Sequence, residues 1–152
     1  MKKILFALAI MPLLVMGCSS DDDDNTPNVD FGYNIELLYG EWRATSVEIM
    51  EGLEIDLTDP EIEENVEPTY ITFKENNVYT SKGVLGKGSG TYITKDKTIT
   101  TSLGDEKISF EMTSLDTKTA TIELDPQDAD FGVDIPEMIK TVTVTLTKQA
   151  KE

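Results

Sequence analysis

The stretch "TVTVTLT", Thr141 to Thr147, decides how this chain folds. Val142, Val144 and Leu146 take one side, and Thr141, Thr143, Thr145 and Thr147 the other. A strict period of two is that of a β-strand with one dry and one wet face. The β-branched residues favour the extended backbone as well. No turn residue interrupts the longer run "MIKTVTVTLTKQ", so the pattern predicts a strand over 138–149.

The same period recurs on working back through the chain. In "TATIELD" (119–125), Ala120, Ile122 and Leu124 oppose Thr121 and Glu123. In "EKISFEMTSL" (106–115), Ile108, Phe110 and Met112 oppose Ser109, Glu111 and Thr113. Earlier come "TITTSL" (98–103), "GTYITK" (90–95), "VYTSK" (78–82), "TYITFK" (69–74) and "EWRATSVEIM" (41–50). Most joints are two to four residues long, which forces antiparallel neighbours. Eight half-buried strands in sequence order remove their exposed edges by closing on themselves. The expected fold is all-β: an eight-stranded antiparallel up-and-down β-barrel in which the first run pairs with the last. Trp42 and Val47 cannot share a face of the first strand without a bulge or bend.

Before that strand, "NIELLYG" predicts a short N-terminal helical turn, with Asn34 as cap, Ile35, Leu38 and Tyr39 facing inward and Gly40 as its end. Two connections are long and acidic. Residues 51–68 hold eight acids and no base, and 126–137 hold four acids. Leu53, Ile55, Leu57 and Ile62 in the first, and Phe131, Val133 and Ile135 in the second, predict that both fold over an end of the barrel. The Gly-rich "KGVLGKGSG" (82–90) lacks the Lys-Ser/Thr ending of a phosphate loop and runs into a strand, which predicts a hairpin loop or bulged strand near the mouth.

The N-terminus has a different character. Lys2 and Lys3 precede an apolar run, Ile4 to Met16, closed by Gly17 and Cys18. This is the layout of a secretory signal, and it is shorter than the about 20 apolar residues that span a bilayer. "VMGC", Val15 to Cys18, resembles the lipobox of bacterial lipoproteins. The resemblance implies cleavage after Gly17 and lipidation of Cys18, which accounts for the chain's single cysteine. "CSSDDDD" resembles the acidic export signal of surface lipoproteins of Bacteroidetes. It implies a place on the outer membrane, lipid-anchored and exposed on the cell surface. The reading divides the chain into a signal peptide (1–17), a lipidated cysteine with an acidic flexible tether (18–32) and a barrel domain (33–150).

The chain of 152 residues has a net charge of −16, from 13 basic and 29 acidic residues. Loss of Lys2 and Lys3 with the signal leaves 11 basic residues and a net of −18. Such a charge repels nucleic acid and anionic membrane faces.

A short helical turn followed by "GEW", Gly40 to Trp42, and eight meandering strands resembles the lipocalins. More closely, residues 33–149 are similar to the lipocalin-like (calycin) lipoproteins of Bacteroidetes. The resemblance implies that Trp42 plugs a closed barrel base beside Gly40. A cation from the last strand would pack across the ring, and Lys148 stands where the family has arginine.

Function narrows accordingly. The chain has no histidine, and a lipidated Cys18 is no nucleophile, which removes triads and histidine metal sites. No enzyme activity and no cofactor are expected. Asp125, Asp128, Asp130 and Asp134 are weak calcium candidates, since hard oxygen ligands suit calcium, but their spacing is not that of an EF-hand. The leading expectation is a monomer that holds a small apolar or amphipathic ligand inside the barrel. Ile71, Phe73, Ile99, Phe110, Met112, Ile122, Val142 and Val144 would line it. The alternative is a filled barrel acting as a protein- or glycan-interaction module through its acidic loops. A hollow of about 300 Å³ or more with one open end separates the two.

Overall fold

A computed structural model of the chain describes residues 31–132 and 134–151. Cys18, the signal and the aspartate run lie outside them, as does Val133. The described residues form β1 (Gly40–Met50), β2 (Leu53–Asp56), a single-turn helix α1 (Pro60–Glu63), β3 (Tyr70–Phe73), β4 (Val78–Lys82), β5 (Gly88–Lys95), β6 (Thr98–Leu103), β7 (Glu106–Leu115), β8 (Thr119–Leu124) and β9 (Val142–Lys148). Two 3₁₀ turns, Ile35–Leu37 and Pro126–Asp128, complete the set.

β1 and β3 to β9 make a closed antiparallel barrel of eight strands, sealed by pairing of β1 with β9. Val47 lies opposite Val144 in that seam. The inward side of β1 changes parity along its length: Trp42 and Ala44 are buried, then Val47. A register shift between Ala44 and Ser46 absorbs the extra residue. One bulge thus lets a single strand bury both halves of its apolar set.

Two expectations need correction. The connection 51–68 contributes a strand beyond the eight expected. β2 folds back on the second half of β1, with Ser46, Val47 and Glu48 facing Asp56, Ile55 and Glu54. It fills the edge that β3, paired only with Gly40 to Arg43, leaves open. Leu53 is nonetheless 48% exposed at the hairpin tip, so it does not fold over the barrel. The last strand begins at Val142, not at residue 138, and Met138 is 81% exposed. Ahead of the 3₁₀ turn, Phe31 packs on the barrel: it is 3% exposed, its ring 5.6 Å from Tyr33, and its carbonyl accepts from the Lys97 amide at 2.9 Å.

The antiparallel order sorts the connections. Turns 74–77, 96–97 and 116–118 lie at one end, with the N-terminal segment. At the other end lie the β1–β2 turn and the loops 57–69, 83–87, 104–105 and 125–141. The acidic connections 51–68 and 126–137 therefore gather at the end opposite Phe31.

Candidate functional site

The N-terminal end is plugged. Asn34 caps the 3₁₀ turn by accepting from the Glu36 amide at 3.1 Å. The turn carries Leu37 and Leu38 across the barrel base. The Trp42 indole, 0% exposed, donates from Nε1 to the Leu38 carbonyl at 2.8 Å. Lys148 Nζ stands 5.0 Å from the centre of the Trp42 ring and donates to the Leu37 carbonyl at 2.7 Å. Lys148 thus packs across the Trp42 ring at the barrel base. Burial, and then the charge of Lys151, hold its pKa below the usual lysine value. Gly40 has φ +128°, and a Cβ there would sit 2.9 Å from Lys148 Cε. The positive φ favours glycine here, and an added Cβ would press on the Lys148 stem.

The eight interior candidates come together, but not around a hollow. Ile71, Phe73, Ile99, Phe110, Met112, Ile122, Val142 and Val144 are each 0–1% exposed and belong to one packed cluster. Side chains lining a hollow would be reached by a water-sized sphere, and these are not. Phe73 fills the centre, its ring 5.3 Å from Tyr79, 5.0 Å from Tyr92 and 6.4 Å from Phe110. Tilted and edge-on aromatic pairs of this kind contribute about 1 kcal/mol each beyond the area they bury.

The loop end is closed by a residue that carried no sequence signal. Leu85, from the Gly-rich loop, is 0% exposed, and Val84 beside it 6%. The Ser81 hydroxyl donates to the Leu85 carbonyl at 3.1 Å, and the Val84 amide donates to Thr69 Oγ1 at 3.0 Å. From across the mouth, the Asp130 amide donates to the Val84 carbonyl at 3.0 Å. Leu57, Val66, Phe131, Ile135 and Ile139 pack on the core from the long loops. Two surface clefts flank the Val84–Asp130 contact. One, of about 570 Å³, lies between Lys87, Lys107 and Asp128, and one of about 430 Å³ between Val66 and Phe131.

The calcium candidates do not converge. No group of three or more metal-ligating side chains is present among the described residues. Asp125 and Asp130 instead turn their carboxylates onto the amides of Gln127 (2.9 Å) and Gly132 (3.0 Å). Acidic spacing along a loop does not fix where the carboxylates point.

Tyr79 stands out inside the barrel. It is 0% exposed, and its hydroxyl completes no hydrogen bond among the described residues. Burial pushes the phenol up to about 12; the Ser81 hydroxyl, already donated to the Leu85 carbonyl, lies near enough to draw it back without completing a bond. A raised phenol favours the folded state fully below the unfolded value near 10, and this contribution is lost as pH rises from there toward about 12. Tyr92, whose hydroxyl donates to the Lys74 carbonyl at 2.8 Å, is raised too, by burial first and then by Tyr39. Urea midpoints are therefore expected to fall between pH 10 and 12, less steeply in Tyr79→Phe. At pH 7 that variant gains about 1 kcal/mol, because an unsatisfied buried group is removed. A Tyr79→Phe protein that loses stability at pH 7 would show that the hydroxyl has a partner.

No family model matches the chain, and no curated protein matches it. Solved structures do. One is a lipocalin-like protein from Bacteroides uniformis, solved by crystallography, with a TM-score of 0.50 and 14% identity. The match covers 74% of this chain and 99% of that one. The fold is lipocalin-like. At that identity the likeness speaks for architecture alone: a lipocalin-like barrel.

Proposed function

We propose that this protein is a lipid-anchored surface module whose barrel is filled and whose acidic loops bind a partner. The observation that carries the reading is the packed interior, eight inward side chains at 0–1% exposure, together with the gathering of every long loop at one end. Phe31 enters at the opposite end, tied to the 96–97 turn. A tether from Cys18 would therefore attach at the plugged base and present the loops away from the membrane. Residues 51–68 carry eight acids without a base, so the complementary partner is a basic protein surface.

Two measurements test this. Cys18→Ala is expected to move the protein out of the membrane fraction, and protease added to intact cells to digest the wild type. A lysine-rich decapeptide is expected to bind the chain at least tenfold more weakly once Glu51, Glu54, Glu61 and Glu64 are changed to glutamine. Equal binding would overturn the loop reading.

A second reading keeps the ligand inside. The lipocalin-like fold and the unpartnered Tyr79 hydroxyl favour it, with Leu85 as the residue that must move aside for a small amphipathic molecule. Native mass spectrometry separates the two, since a retained apolar or amphipathic molecule belongs to the second alone.

A further inference from the structure

A groove of about 950 Å³ runs along the outer wall of the barrel, away from the mouth. Its floor is the outward face of β3 and β4. Ile71, Phe73, Tyr79 and Ser81 point inward, which turns Tyr70, Thr72, Thr80 and Lys82 outward. The tail after β9 forms the opposite wall, held by the Gln149 amide donating to the Glu41 carbonyl at 2.8 Å. The absence of a side chain at Gly40 leaves the Lys148 stem open to the groove.

The charge here runs against that of the whole. The protein carries −16, yet Lys82, Lys148 and Lys151 line this groove with one carboxylate, Glu41. Lys82 has an ion pair with Glu67 at 3.3 Å. Among the described residues the only other ion pair is Arg43 with Glu63, so no described carboxylate lies within 4.0 Å of Lys148 or Lys151. They are close enough for Lys151 to disfavour the charge on Lys148, a repulsion that a bound anion would relieve. The hydroxyls of Tyr70, Thr72 and Thr80 make no hydrogen bond among the described residues.

We propose that this groove binds an acidic saccharide, its acid group at Lys148 and Lys151 and its hydroxyls along Tyr70, Thr72 and Thr80. A lysine pair supplies charge-assisted donors for an acid group, and the hydroxyl row matches a polyhydroxylated ring. An extended acidic peptide fits less well. Such peptides dock by adding to an open sheet edge, whereas β3 is already paired with β1 and β4, and β4 with β3 and β5. The site meets the mouth loops only through the Lys82–Glu67 ion pair, and none of Glu51, Glu54, Glu61 and Glu64 lines it, so its failure leaves the reading above intact.

The test is calorimetric titration of the purified full chain with a tetramer of galacturonic acid, a neutral galactose tetramer and tetraglutamate. The uronate is expected to bind at least tenfold more tightly than either comparison. Lys151→Gln, and separately Thr72→Val with Thr80→Val, are expected to weaken it fivefold or more. The glutamine changes at Glu51, Glu54, Glu61 and Glu64 are expected to leave it unaltered. Equal binding of the neutral sugar or of tetraglutamate overturns the proposal. So does binding that ignores the groove variants, or no heat at millimolar uronate.

Discussion

Trp42→Ala is expected to cost about 4 kcal/mol of folding free energy, in the middle of the range for a buried aromatic. Three losses coincide at this residue. The indole leaves a void at the barrel base, since its side chain is wholly buried. The Leu38 carbonyl loses its donor. Lys148 keeps its bond to Leu37 but loses the ring beneath its ammonium. A domain of this size loses about 4 °C per kcal/mol, so the thermal midpoint should drop by about 15 °C. Trp42→Phe keeps most of the ring volume and orphans the Leu38 carbonyl, for a loss of about 2 kcal/mol. Calorimetric unfolding of the three proteins checks the series. A Trp42→Ala protein melting within a few degrees of the wild type would mean that the N-terminal turn does not close the base through this residue.

The wall of the barrel was legible because one physical rule, burial of alternate residues, acts on every strand. β4, β6 and β7 fall on the residues their alternation marks, and the parity break between Trp42 and Val47 is resolved by a bulge at Thr45. β2 was not legible. Leu53, Ile55 and Leu57 do alternate with Glu54 and Asp56 behind a Gly52 turn, but the acidity of the segment outweighed that short pattern. Interior filling was beyond the sequence in principle. A hollow barrel and a filled one need the same inward Ile, Phe and Val. What separates them is how Phe73, Tyr79, Tyr92 and Phe110 lean together, and which loop residue drops into the mouth. Leu85 does so from a segment with no period at all. Trp42 and Lys148 were legible through resemblance, not through pattern. The outer groove was not, because Lys82 lies far in sequence from Lys148 and Lys151, and they line one groove only when β3 and β9 pair on either side of β1 and β4 follows β3.

The filled upper half of the barrel depends on a second contact that no pattern announces. Gly90, inward-facing on β5 opposite Tyr79, lies under the backbone of β6. A Cβ built there would fall on the Ser102 carbonyl oxygen, with the carbonyl carbon at 2.8 Å and Leu103 Cδ2 at 3.1 Å. Backbone held in a ladder on both sides cannot move away: Thr91 is paired with Ser102, and Ser102 in turn with Lys107. Gly90→Ala is therefore expected to cost about 3 kcal/mol or more, through overpacking rather than through backbone conformation. Gly104→Ala separates the two causes. Gly104 has φ +64° at an open turn with nothing within 4 Å, so alanine there meets only the left-handed backbone penalty of about 1 kcal/mol. Urea unfolding of both variants measures the difference. If Gly90→Ala costs no more than Gly104→Ala, β6 does not bend over β5. The upper barrel then has room beside Tyr79, and the balance shifts from a filled module to one that admits a ligand.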